Sequence, residues 1–153
     1  MKVGDISYDV FWNGIATDLK IDNDKIKEAK KFALKLFEPE ENTIEYVEKL
    51  SCKLDLYLLS NSFKWSEESF NSMGLKPFFK KAFFSHKLGL AKPDKKIYEV
   101  AINEIGLKPE EMIFIDDKID NVIAANNVGL NGILCDEGIR DLFEKKLIKY
   151  MEN

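Results

Sequence analysis

Two periodicities divide the chain. Up to about residue 51, apolar residues recur every three or four positions, the spacing of helices that bury one face. Val10, Phe11, Ile15 and Leu19 predict a first helix, with Ser7 a candidate cap and Asp5 and Asp9 near its positive end. Asp22 or Asn23 opens a second, carrying Ile26, Ala29, Lys30, Ala33 and Phe37, and Pro39 stops it. A third runs from about Thr43 to Leu50 with Ile44, Val47 and Leu50 inward. No strand is evident in this stretch.

From Leu54 the pattern changes. Leu54–Leu59 reads as a strand ended by Ser60-Asn61-Ser62, followed by a helix from about Trp65 to Met73 that Gly74 closes. Ala82–Ser85 is a second short strand, and a helix from Asp94 to about Ile105 follows, with Pro93 near its first position and Gly106 at its end. Met112-Ile113-Phe114-Ile115 is a strand with apolar residues on both faces, stopped by Asp116-Asp117 and continued as a helix through Val122 and Ile123. Asn131–Cys135 is the last strand, and residues 138–151 close with a helix bearing Ile139, Leu142, Phe143, Leu147 and Tyr150. Strands alternating with helices predict an α/β fold with a parallel sheet and right-handed crossovers. The division is a helical segment over 1–51 and an α/β core over 52–153.

Composition narrows the function classes. With 153 residues, 45% hydrophobic and 33% charged, the sequence fits one soluble domain with a sizeable core. A net charge of -4 argues against electrostatic nucleic-acid binding. No apolar run reaches membrane-spanning length, and the amino terminus lacks a signal-peptide core. Cys52 and Cys135 stand apart without metal-type spacing and read as buried thiols of a reducing compartment, so the expected location is cytoplasmic.

Three chemical features fall on one sheet edge. Ser60 follows one strand, Asp116 and Asp117 follow another, and Lys92 precedes a helix between them. Ligands of open α/β sheets bind at the carboxyl ends of the strands. Adjacent acids there repel unless a cation lies between them, and oxygen ligands with retained waters suit Mg²⁺. The bland alternatives are that Asp116 or Asp117 caps a helix, Ser60 a turn, and Lys92 is solvated. His86, the only histidine, reads as a loop residue, and Trp12 and Trp65 as packing. Together, a hydroxyl, an ammonium and carboxylates for a cation are what phosphoryl transfer requires.

The sequence resembles the haloacid dehalogenase-like superfamily, in particular its small-molecule phosphatases with a helical cap. The match lies in Leu58-Leu59-Ser60-Asn61-Ser62, in Gly89-Leu90-Ala91-Lys92-Pro93-Asp94, in Phe114-Ile115-Asp116-Asp117 through Asn121, and in Ala124-Ala125-Asn126-Asn127-Val128-Gly129. Spacings of 32 residues from Ser60 to Lys92 and 24 from Lys92 to Asp116 fit as well. The resemblance implies a Rossmann-like core with residues 5–51 as cap. It implies Ser60, Asn61 and Lys92 on the phosphoryl group, Ser60 and Lys92 being catalytic. It makes Asp116 and Asp117 the Mg²⁺ acids and Asn121 a supporting residue, with a small phosphorylated metabolite as substrate.

One departure is severe. The family's nucleophile is the first acid of an Asp-x-Asp motif at the end of a strand preceding the cap, and neither is found here. Asp22-Asn23-Asp24 has the acid spacing but falls among the cap-like helices. In the family the absent strand lies between those ending at Ser60 and Asp116. The two must then pair directly, accept a strand from a homodimer mate or another partner, or leave backbone groups unpaired. Two expectations follow: a Mg²⁺-dependent phosphatase whose recorded start is too late, inactive as this chain, or a non-catalytic phosphate- and metal-binding or interaction protein. A phosphorelay receiver needs its paired acids after the first strand, and the order here is wrong.

Overall fold

The computed structural model describes residues 8–35, 42–136, 138 and 142–147. Three helices come first: α1 (Tyr8–Leu19), α2 (Asn23–Lys35) and α3 (Thr43–Ser51). Asp22 caps α2, its Oδ1 accepting the N–H groups of Asp24 and Lys25 at 3.0 Å each. That accounts for the acid-rich Asp22-Asn23-Asp24: it is an exposed helix start, with no strand before it. The expected Ser7 cap, Phe37 and Pro39 lie outside the described residues.

The inner faces differ in part from those predicted. In α1, Trp12 is the buried residue (9% exposed), whereas Val10 (62%), Phe11 and Leu19 are exposed. Rotating the buried stripe by one position exchanges Phe11 for Trp12, and the larger indole gains more from burial. In α3, Val47 and Leu50 are buried as expected, but Ile44 faces out.

The remaining elements alternate as the pattern requires: β1 (Leu56–Ser60), α4 (Lys64–Ser72), β2 (Phe79–Phe84), the short turn α5 (Ser85–Leu88), α6 (Lys95–Ile105), β3 (Ile113–Asp116), α7 (Ile119–Asn127) and β4 (Asn131–Leu134). A π-helical turn spans Leu142–Leu147, and the rest of the expected final helix, with Ile139 and Tyr150, is outside the described residues. Helix α6 starts one residue later than predicted because Asp94 is its cap, accepting from the Lys96 N–H. Gly106 ends it with φ 79°, a left-handed conformation open to glycine at little cost.

All observed strand pairing is parallel, but it makes two sheets. β1 pairs with β2, Leu58 opposite Ala82 and Ser60 opposite Phe84. β3 pairs with β4, Ile113 opposite Asn131 and Asp116 opposite Leu134. Among the described residues neither β1 nor β3 has a second strand beside it. Direct pairing of β1 with β3, one of the three expected outcomes, does not occur.

Three apolar clusters hold the elements. Val47, Phe70, Leu75 and Phe84 pack with Leu56, Leu58 and Phe79 around the first sheet. Leu50, Leu142 and Leu147 join Leu56 to Ile133 of β4. Ile97, Tyr98 and Ala125 gather Leu59, Phe114 and Leu130, so α6 and α7 reach both sheets. Ile115 is exposed rather than buried, because no described element covers its side of β3. Cys52 is exposed and Cys135 half-buried, and neither is in a disulfide, which corrects the buried reading of Cys52.

Candidate functional site

The carboxyl ends of β1 and β3 meet at one side chain. Lys92 lies in the loop before α6, and its Nζ donates to the Leu59 carbonyl at 2.7 Å and to Asp116 Oδ2 at 2.6 Å. The lysine and aspartate side chains are only 10% and 5% exposed. A buried pair of this kind endures only when its other hydrogen-bonding positions are occupied. Those of the second carboxylate oxygen are: Asp116 Oδ1 accepts from the Lys118 N–H at 2.9 Å and from Asn121 Nδ2 at 2.8 Å. Burial, the largest single influence on Asp116, pushes its carboxyl up. The bonds from Lys92, Asn121 and Lys118, with the Lys92 charge, outweigh it together and hold the group below its ordinary value.

Asn61 fixes Lys92 from the other side. Its Nδ2 donates to the Lys92 carbonyl and its Oδ1 accepts the Lys92 N–H, both at 2.8 Å. This reciprocal clamp spans the two segments that carry the serine and the lysine, and it occupies one donor and one acceptor of the amide. Asn121 is fixed in turn, because the Tyr98 hydroxyl donates to its carbonyl at 3.0 Å. Burial, with a smaller contribution from the Asp116 charge, raises the Tyr98 phenol to about 12.

The predicted residues therefore separate into groups. Asn61, Lys92, Asp116 and Asn121 form one connected network. Ser60 closes β1 next to it, half-buried, and Asp117 is exposed immediately after β3. The bland cap reading is partly met as well, since Asp116 accepts the N–H two residues on at the start of α7. Sequence reasoning missed His86: its ring is nine-tenths buried and contacts Ser62 and Glu67 rather than lying in an open loop. Its position just after a short strand was the signal the sequence held.

Among the described residues no three acids, histidines or cysteines are gathered around a possible metal position. The acids present still fit magnesium, which is commonly held by one or two carboxylates with water completing its shell. Asp116 keeps acceptor capacity on Oδ2 beyond its bond to Lys92, and Asp117 is open to solvent beside it. Those two would hold the ion.

Comparison with known proteins bears on this arrangement. The family model described as haloacid dehalogenase-like hydrolase matches residues 6–135. A sesquiterpene phosphatase of Aspergillus oryzae is 45% identical over 51 residues, covering 33% of this chain and 26% of that protein. A glyceraldehyde 3-phosphate phosphatase of Methanothermobacter thermautotrophicus is 32% identical over 78 residues, covering 48% and 34%. The chain thus spans about a quarter to a third of these relatives' length. Among solved structures, a HAD-like family hydrolase from Porphyromonas gingivalis superposes with a TM-score of 0.70 at 24% identity, covering 99% of this chain and 74% of that one. A HAD family enzyme from Bacteroides thetaiotaomicron, in complex with magnesium and inorganic phosphate, gives 0.67 at 24% identity, covering 90% and 73%. At these identities the likeness shows a shared α/β fold.

Proposed function

The chain belongs to the haloacid dehalogenase-like hydrolases, and from that premise we propose that its Ser60–Lys92–Asp116 edge is the phosphate- and Mg²⁺-binding half of a phosphatase acting on small phosphate esters. The observation that carries this is the Lys92 ammonium, held at the meeting point of two strand ends by Leu59 and Asp116. An ammonium has three hydrogens. Two are used there, and the third serves an anion. Ser60 would bind an equatorial phosphoryl oxygen through its hydroxyl. Asn61 would act mainly by holding Lys92 in register, because its amide is clamped on that backbone. Asn121 would keep Asp116 ionised and oriented.

A bound Mg²⁺ on Asp116 and Asp117 would supply charge neutralisation for the phosphoryl oxygens. The activities that the relatives are named for, phosphatases of a sesquiterpene and of glyceraldehyde 3-phosphate, favour this chemistry. They do not select one substrate. We take residues 1–51 as the cap, 52–153 as the core, and the cytoplasm as the location. No helix among the described residues is long and apolar enough to cross a membrane.

The Asp-x-Asp run of the sequence, Asp22-Asn23-Asp24, opens α2 instead of ending a strand, so this reading assigns no residue of the 153 as the attacking carboxylate. The expected turnover of p-nitrophenyl phosphate with Mg²⁺ is nil beyond background. Turnover that Asp116→Ala abolishes would overturn that part. A second use is favoured by one observation, the edges of β1 and β3 that have no partner strand among the described residues. A strand from a second copy or from another polypeptide would satisfy both edges. Light scattering that finds a monomer at high concentration removes the homodimer version.

A further inference from the structure

Beside the phosphate edge, a second set of polar groups gathers at Ser62, two residues after Ser60. Ser62 Oγ lies 3.2 Å from His86 Nδ1 and 3.4 Å from the Ser60 carbonyl. On the far side of the ring, Nε2 is shut off from solvent and lies 3.3 Å from Glu67 Oε2 of α4, at ion-pair distance without the alignment of a hydrogen bond. Glu67 also takes the Lys87 ammonium at 2.6 Å, and the Phe84 ring lies 5.7 Å from the imidazole. The charged group against the ring is Glu67, and Lys87 pairs with that same carboxylate. The Ser62 backbone itself is locked, because its N–H donates to Ser85 Oγ at 2.8 Å and its carbonyl accepts from the same hydroxyl at 3.1 Å.

We infer that Ser62, His86 and Glu67 form a proton-linked relay in which His86 is a positioning residue for the phosphate-binding end of β1. A carboxylate can only accept, so Glu67 favours the tautomer with its proton on Nε2. Nδ1 is then bare and accepts a hydrogen bond from the Ser62 hydroxyl. When the imidazole gains a proton from solvent, that proton sits on Nδ1 and donates to Ser62 Oγ. The hydroxyl hydrogen must turn away, and the acceptor within reach is the Ser60 carbonyl. No bond breaks other than these hydrogen bonds. Because the Ser62 backbone is pinned to Ser85, the change is expressed as commitment of one hydroxyl hydrogen to the Ser60 carbonyl, which it already reaches at 3.4 Å. It also places a positive charge two residues from the serine assigned to phosphate. That last step rests on the proposed function, whereas the relay itself stands on the distances.

The test is two-dimensional NMR of the full chain between about pH 5 and pH 8, the range in which imidazoles titrate. The amides of Ser60, Asn61 and Ser62 are expected to move with the same midpoint as the His86 ring, and to stop moving in His86→Gln. Glu67→Gln, which keeps the ring, is a second variant: there the coupled movement of the Ser60 and Ser62 amides should shrink. Amides that stay still while His86 titrates, or that move equally in His86→Gln, overturn the relay. Titrating inorganic phosphate with Mg²⁺ separates the two layers. If phosphate fails to bind at any pH, the function assigned to Ser60, Lys92 and Asp116 falls while the amide result still decides the relay. If phosphate binds with the same pH dependence in wild type and His86→Gln, the positioning role is overturned.

Discussion

Lys92 and Asp116, 24 residues apart in sequence, share a 2.6 Å ion pair that joins the ends of two strands belonging to different sheets. The same ammonium holds the Leu59 carbonyl, so one side chain does structurally what a backbone ladder does elsewhere in the sheets.

Removing that ammonium leaves Asp116 buried beside Asn121 and Lys118 without its counter-charge. Lys92→Met should lower unfolding free energy by about 3 kcal/mol, the cost of breaking a buried pair by deleting one member. Urea denaturation at neutral pH measures it. The pH dependence follows from the depressed Asp116 carboxyl. Its contribution is complete above the ordinary carboxylate value and disappears as pH falls through the lower folded value. In Lys92→Met the folded carboxyl rises, and acid unfolding should begin at a higher pH than in wild type.

Asn61→Ala tests the clamp separately from charge. Two hydrogen bonds at 2.8 Å are lost, at about 1 kcal/mol each. Phosphate affinity should fall as well, although no charged group has changed. Calorimetric titration with phosphate and a thermal melt together give both numbers.

Gly132→Ala should destabilise for a steric reason. A Cβ at Gly132 would come within 2.8 Å of both Asn126 Oδ1 and Val122 Cγ1, and the Gly132 N–H donates to that same Asn126 oxygen. Either α7 moves off β4 or the bond breaks, at about 1–3 kcal/mol for an overpacked site. Chemical denaturation reads this directly.

Tyr98 should be the late tyrosine in an alkaline titration followed by phenolate absorbance, with a midpoint of about 12. Since the folded state holds the phenol proton more tightly than the unfolded chain, this group's stabilising effect is intact below about pH 10 and declines between there and about 12. Tyr98→Phe removes the late transition and, by freeing the Asn121 carbonyl, costs about 1 kcal/mol.

Much of the fold was legible because its elements are short and sharply punctuated. Four apolar residues followed by two acids mark β3, and Gly106 marks the end of α6 through a conformation other residues disfavour. The network of Lys92 and Asp116 was legible from spacing and residue type. Less visible were contacts that no local pattern encodes, such as Asn61 clasping the Lys92 backbone and His86 seated against Ser62. Side-chain burial failed where the pattern was ambiguous: Phe11 and Trp12 compete for one inward position on α1, and tertiary packing chose the indole. Ile115 reads as core but is exposed, since burial depends on what lies against the strand as well as on the strand itself.

The central claim is that Lys92 and Asp116 build a phosphate site assisted by magnesium, and titration of the full chain with inorganic phosphate in the presence and absence of Mg²⁺, followed by amide NMR, tests it most directly. Saturable shifts at Ser60, Asn61, Lys92 and Asp117, strengthened by Mg²⁺ and weakened at least about tenfold in Lys92→Met (about 1.4 kcal/mol), are the expected result. The absence of saturable shifts, or binding that neither Lys92→Met nor Asp116→Asn alters, would contradict it.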